Sequence, residues 1–210
     1  MPYVHDVFIS YRRHAIWTPW VRDKVKPLLD AYLTQELGRQ ANIFFDERID
    51  PGADWPNALG TCLASSRVML AIFSGDYFGS EWCLHELDLM HQRLRHNPGS
   101  AVIIPVIFHD GDLIPDEIGR LQSVNMKHFR NPSIQPDTPL HAMFCDAMGL
   151  LAPRIKPSIV EAPPHDPGWV VTCCARFDEI YTASNAGHTV ALTTFTRKPL
   201  PSPAFPRVSP

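Results

Sequence analysis

Four short, largely apolar runs limit the folds open to this chain: Val4–Tyr11, Ile43–Phe45, Arg67–Phe73 and Ala101–Phe108. Each is shorter than a typical buried helix, is rich in β-branched or aromatic residues and lacks the strict alternation of a half-exposed strand. Such runs read as strands covered on both faces. Helical patterns lie between them. Trp17–Leu37 has a helical period ended by Gly38, although Pro27 interrupts it. Trp55–Ser65 starts after a possible N-cap, Asp54. A third helix runs from Glu81 to about His96, a short one spans Pro115–Leu121, and a last amphipathic one covers Pro139–Leu151. A fifth, short strand is expected near Met126–Phe129. Strands alternating with helices in this way predict a flavodoxin-like, doubly wound α/β sandwich of five parallel strands with helices on both faces. Pro105 is the misfit, because a central strand needs the N–H that proline lacks.

The chain has 210 residues, enough for one domain and an extension. Residues 1–156 are read as that domain. Residues 157–210 hold clustered prolines and read as a linker and tail. A β-hairpin is possible there, from Trp169–Cys174 and Thr189–Thr196 about the turn at Ser184-Asn185-Ala186-Gly187. Truncation after Lys156 is expected to leave a folded domain.

A net charge of -3 gives no sign of a nucleic-acid or membrane-surface partner. No apolar run reaches the roughly 18 residues of a membrane span, and no secretory signal is visible at the N-terminus. Five cysteines without a C-x-x-C pair fit a reducing, cytoplasmic setting. The phosphate-loop, dinucleotide and serine-hydrolase signatures are absent. His85-Glu86 and His91 do not make a zinc motif, since the histidines are six apart rather than four. Neither a metal nor a cofactor is expected.

The stretch Phe73 to Leu87 concentrates the remaining signals. A strand enters a turn with Gly75 and Gly79, Ser80 stands as an N-cap, and Glu81 falls in the first turn, where the helix dipole favours negative charge. Cys83, Leu84, Leu87, Met90 and Leu94 form the buried stripe. Glu86 shares a face with Trp82 and lies beside that stripe, past the C-terminal end of a strand, where open α/β sheets bind ligands. Glu86 is either a solvated carboxylate paired with Arg93 or Arg12, or a catalytic acid in a cleft. As a rim carboxylate it is expected to matter little for stability.

Ser80-x-Trp82-Cys83-x-x-Glu86-Leu87 resembles the active-site signature of TIR (Toll/interleukin-1 receptor) domains. Asp6-Val7-Phe8-Ile9-Ser10-Tyr11 is similar to that family's opening strand, and Phe45-Asp46 with Pro51-Gly52 and Trp55 to its second strand and following loop. The resemblance covers roughly residues 3–156. It implies the same fold, and Glu86 as the catalytic residue of an NAD-cleaving enzyme acting in defence or cell death. It further implies a substrate cleft with Phe8, Ser10, Tyr11, Arg12, Asp46, Ser80 and Trp82. The Arg12 guanidinium suits the NAD diphosphate and the Trp82 face a substrate ring. NAD is then substrate, not cofactor. Partners are other TIR domains or a second copy, through the loop 46–55. The alternative is a non-catalytic module signalling by TIR–TIR association.

Overall fold

The structure is a computed structural model that describes residues 2–46, 54–108, 113–131 and 133–200. Five strands form one all-parallel sheet: β1 (His5–Tyr11), β2 (Ile43–Phe45), β3 (Ser66–Phe73), β4 (Ile103–Ile107) and β5 (Val124–Asn125), in the order β2-β1-β3-β4-β5. This is the flavodoxin-like order, whose chain direction reverses beside β1 and leaves a crevice at the C-terminal ends of β1 and β3. The fifth strand lies slightly earlier than expected. Lys127–Phe129 instead forms a 3-10 turn.

Alternation along β1 sorts its side chains between two cores. Val7, Ile9 and Tyr11 join the layer with α1 (Trp17–Trp20), α2 (Lys26–Leu37) and α6 (Pro139–Val160). Phe8 joins the layer with α3 (Trp55–Ala64) and α4 (Glu81–His96), and Ser10 faces the same way. A short α5 (Asp116–Gly119) follows β4. Both sheet faces are therefore covered, as the apolar runs require.

The awkward prolines have local solutions. A π-helical turn at Val21–Val25 joins α1 to α2 with helical backbone throughout, so Pro27 follows directly on a stretch where the i→i−4 ladder is already interrupted, and its missing N–H costs little there. The Val102 carbonyl and Phe108 N–H bond toward β3, while the Ile107 carbonyl bonds toward β5. By alternation Pro105 also faces the β5 side, and β5 pairs only with Val106 and Ile107. The absent N–H thus falls where no strand asks for it.

The tail differs most from expectation. The helix expected to end at Leu151 runs to Val160, and the boundary drawn at Lys156 lies inside it. Pro153 and Pro157 do not break it, because both sit on its exposed side, where the carbonyls they leave free can meet water. The expected hairpin is absent. Residues 169–174 lie in a helix, α7 (Pro167–Asn185), started by Pro167 at the first position and by Asp166, whose carboxylate accepts the Gly168 N–H. Cys173, Phe177 and Ile180 are buried against α3 and α4 at helical spacing.

After α7 the chain lies across α4. There the buried Asp88 accepts bonds from the backbone N–H and hydroxyl of both Thr193 and Thr194. Their donors hold its pKa down despite burial. Phe195 is buried in the same layer, and Arg197 pairs with Glu81 at 2.7 Å. Glu81 is therefore tied to this strap and is not a free solvent charge.

Gly60 marks the α3–α7 contact. A Cβ there would lie 2.8 Å from the Cys174 backbone, so only a glycine lets the helices approach this closely. Gly60→Ala is expected to cost on the order of 1–3 kcal/mol through helix displacement. Chemical denaturation should show the loss, and an unchanged midpoint would mean that α7 does not pack here in solution.

Candidate functional site

The crevice at the ends of β1 and β3 is occupied by the start of α4. Ser80 caps this helix as the sequence predicts, with an extended backbone and its Oγ accepting the Cys83 N–H. The capped first turn fixes Trp82 and Cys83 at the crevice and, one turn on, aims Glu86 across to the end of β1. The resulting cleft holds about 220 Å³ and is lined by Tyr11, Arg12, Arg13, Asp46, Trp55, Ser80, Trp82, Cys83 and Glu86.

Of the two sequence readings of Glu86, the solvated carboxylate does not hold, and the group lies deeper than a rim position. It is only 6% exposed, and neither of its expected pairs forms. Arg12 reaches Ser80 Oγ at 3.3 Å, and Arg93 bonds Tyr3 and the Ser66 carbonyl. Glu86 is held instead by Ser10, 2.5 Å from Oγ to Oε2. Ser10 also lies 2.7 Å from the Tyr77 hydroxyl, which is 3.2 Å from the Cys83 carbonyl. The burial pushes the Glu86 carboxyl up to about 8. Asp46 adds to the rise, while the Ser10 bond and Arg13 oppose it.

The chain of hydroxyls suits both protonation states. With Glu86 neutral, its O–H donates to Ser10, Ser10 to Tyr77 and Tyr77 to the Cys83 carbonyl, and each hydrogen is used. With Glu86 ionised, Ser10 donates to the carboxylate and Tyr77 to Ser10. Satisfied either way, the group can titrate within the physiological range without orphaning a buried donor.

The other residues named from the sequence divide. Ser10, Tyr11, Arg12, Asp46, Ser80 and Trp82 gather around the cleft with Glu86. Phe8 does not. It is fully buried one pleat below Ser10 and stacks on Phe44 at 5.1 Å. Trp82 stacks on Phe177 of α7 at 5.9 Å and meets the Trp55 edge at 4.3 Å, so it is a braced wall of the cleft more than a free platform. Asp46 pairs with Arg13 at 2.8 Å. Most of the loop 46–55, expected to contact partners, lies outside the described residues.

Three cleft residues, Arg13, Trp55 and Cys83, were not among the site residues expected from the sequence. Arg13 was passed over for Arg12, yet it carries the ion pair to Asp46 and lies 6.0 Å over the Trp55 ring. Trp55 was placed in the loop similar to the family's and at a helix start, and Cys83 in the Ser80–Leu87 signature and the buried stripe, but neither as a cleft residue. Tyr77 was missed behind them, and no spacing rule would have found it. Among the described residues no cluster of His, Cys, Asp and Glu could hold a metal ion, and no helix is long and apolar enough to cross a membrane.

The chain is similar to known proteins over part of its length. A protein SUPPRESSOR OF npr1-1, CONSTITUTIVE 1 from Arabidopsis thaliana is 27% identical over 114 residues, 54% of this chain and 8% of that protein. The Arabidopsis disease resistance protein RPP4 is 30% identical over 100 residues, 47% of this chain and 8% of that protein. The chain thus matches under a tenth of the length of these relatives. A solved TIR domain of a Toll-related receptor from Hydra magnipapillata superposes with a TM-score of 0.48 at 16% identity, over 73% of this chain and 99% of that one. The TIR domain family model matches residues 7–136, from β1 through β5 with the cleft between, and the chain belongs to the TIR domain family.

Proposed function

We propose that this chain is an NAD+ nucleosidase acting in defence or cell-death signalling. The observation that carries the proposal is a carboxylate, Glu86, buried at the base of a cleft at the switch point of the sheet, with two arginines at the cleft wall. In the reaction the bond between ribose C1′ and the pyridinium nitrogen breaks, and its electron pair leaves with nicotinamide as a neutral molecule. The leaving group needs no proton. The ribose becomes an oxocarbenium-like cation, and an ionised Glu86 nearby stabilises that charge in a site of low dielectric. Water then adds to C1′ and releases a proton, giving ADP-ribose, or an adenine nitrogen closes a ring. The cleft volume is the scale of one nucleoside half, below the roughly 300 Å³ of common ligand clefts. Nicotinamide and its ribose fill it, and the diphosphate extends past Arg12. The relation to plant disease resistance proteins supports the pathway, and a second copy or another TIR domain is the expected partner.

The Arg13–Asp46 pair ties two walls of the cleft and so narrows the entry for a substrate, which is the observation on the side of the second reading, a module that signals by association alone. Nicotinamide release separates the two. Purified full chain incubated with NAD+ should release nicotinamide, faster as pH rises toward and past about 8. The sign follows from Glu86, which is neutral below its raised pKa and supplies negative charge only above it. No release at any pH, in dilute or concentrated protein, leaves the association module. A rate falling from pH 6 to 8 would remove the carboxylate from the mechanism.

A further inference from the structure

A second cavity, of about 460 Å³, lies among the N-terminal segment, the C-terminal half of α4 and the start of α7. None of its lining residues is shared with the cleft. Its floor holds Arg93, only 6% exposed. The guanidinium donates to the Ser66 carbonyl at 2.7 Å and to the Tyr3 hydroxyl, which donates in turn to the Pro163 carbonyl at 2.5 Å. Two bonds use only part of a guanidinium's five donors. No carboxylate pairs with Arg93 among the described residues. Its neighbour Arg67, over the same Tyr3 ring, differs, with Asp6 at 3.6 Å. A buried cation without a counter-charge is costly, and a bound anion would offset that cost.

The walls add chemistry. Trp169 supplies an aromatic surface, and Asp166 stands at the rim. Gln92 spends both side-chain N–H groups on Asp88 and Thr193, and Asn97 one of its two on the Arg93 carbonyl, and both amides keep an oxygen as acceptor. One cationic floor, one aromatic wall and several acceptors fit a molecule with an anionic head, a flat ring and hydroxyl or amino donors. We propose that this cavity binds an aromatic anion no larger than a mononucleotide, its phosphate or carboxylate on Arg93, its ring against Trp169 and any donors it carries toward Asp166 and the two amides. The site is independent of NAD+ cleavage.

Calorimetric titration of the full chain with AMP, adenosine, inorganic phosphate and nicotinate tests the proposal. AMP or nicotinate should bind, which tells a phosphate head from a carboxylate one. Adenosine, lacking the head, should bind at least about tenfold more weakly than AMP if AMP is the ligand. Inorganic phosphate, lacking the ring, should be weak as well. Arg93→Lys, which keeps the charge but loses the planar fork, should weaken binding by about tenfold or more. Because Arg93 also braces Tyr3, a second variant is needed. Thr172→Trp fills the cavity from the exposed side of α7 and leaves the cleft untouched; it should abolish binding with little change in melting temperature. No binding by AMP or nicotinate overturns the proposal. So does affinity that survives Thr172→Trp, which would place the ligand elsewhere.

Discussion

Glu86→Gln is expected to slow nicotinamide release from NAD+ by on the order of 10²–10³-fold, the scale of losing one preorganised electrostatic contact. The same change should make the protein more stable. The folded-state pKa of Glu86 lies near 8, above its ordinary value of 4.5. Between those values the unfolded chain has released the proton and the folded chain keeps it, so wild-type stability falls as pH rises through this window. Glutamine has no proton to lose and avoids that fall. At pH 7 the difference is about 3 kcal/mol in favour of the variant. This replaces the small effect expected of a rim carboxylate. Steady-state kinetics and thermal melts at pH 5 and pH 8 are the measurements, with exposed Glu179→Gln on α7 as the control. Cleavage undiminished in Glu86→Gln would remove the carboxylate from the chemistry. A variant less stable than wild type at pH 8 would contradict the burial.

Truncation after Val160 should leave no cooperatively folded domain, the reverse of what the sequence suggests. The cut removes Cys173, Phe177, Ile180 and Phe195 from the core and strips Asp88 of its threonine donors. Burying a large apolar side chain contributes about 1.5–3 kcal/mol, and partly buried Trp169, Val170 and Leu192 are lost too. The sum, on the order of 10 kcal/mol, matches the whole stability of an ordinary domain. Near-ultraviolet circular dichroism and a melting curve decide it. A truncated chain that melts sharply within a few degrees of the full one would show that α7 is an accessory.

How well the sequence could be read depended on the range of the forces involved. The sheet and its order were legible because runs such as Val68–Phe73 carry their burial in their own composition. The start of α4 was legible because Ser80 caps it within four residues. α7 was misread although its signals are local. Asp166-Pro167 is a helix start, and Cys173, Phe177 and Ile180 recur at helical spacing. The prolines before it and the β-branched Val170 and Val171 outweighed these signals. The depth of Glu86 was not legible at all. It depends on Ser10 and Tyr77, far apart in the chain, and on helix α7 bracing Trp82. Arg13 lost to Arg12 because two adjacent arginines at a strand end look alike until Asp46 stands opposite one of them.

The strap and α7 have a consequence for assembly geometry. They already occupy the outer surface of the α3–α4 layer, where Asp88 and Phe195 secure them. They stand between α3–α4 and any partner from this side, which would meet α7 and the strap, and not the helices of the sheet layer beneath them. The surface offered there is that of α7, where Val171 and Tyr181 are exposed.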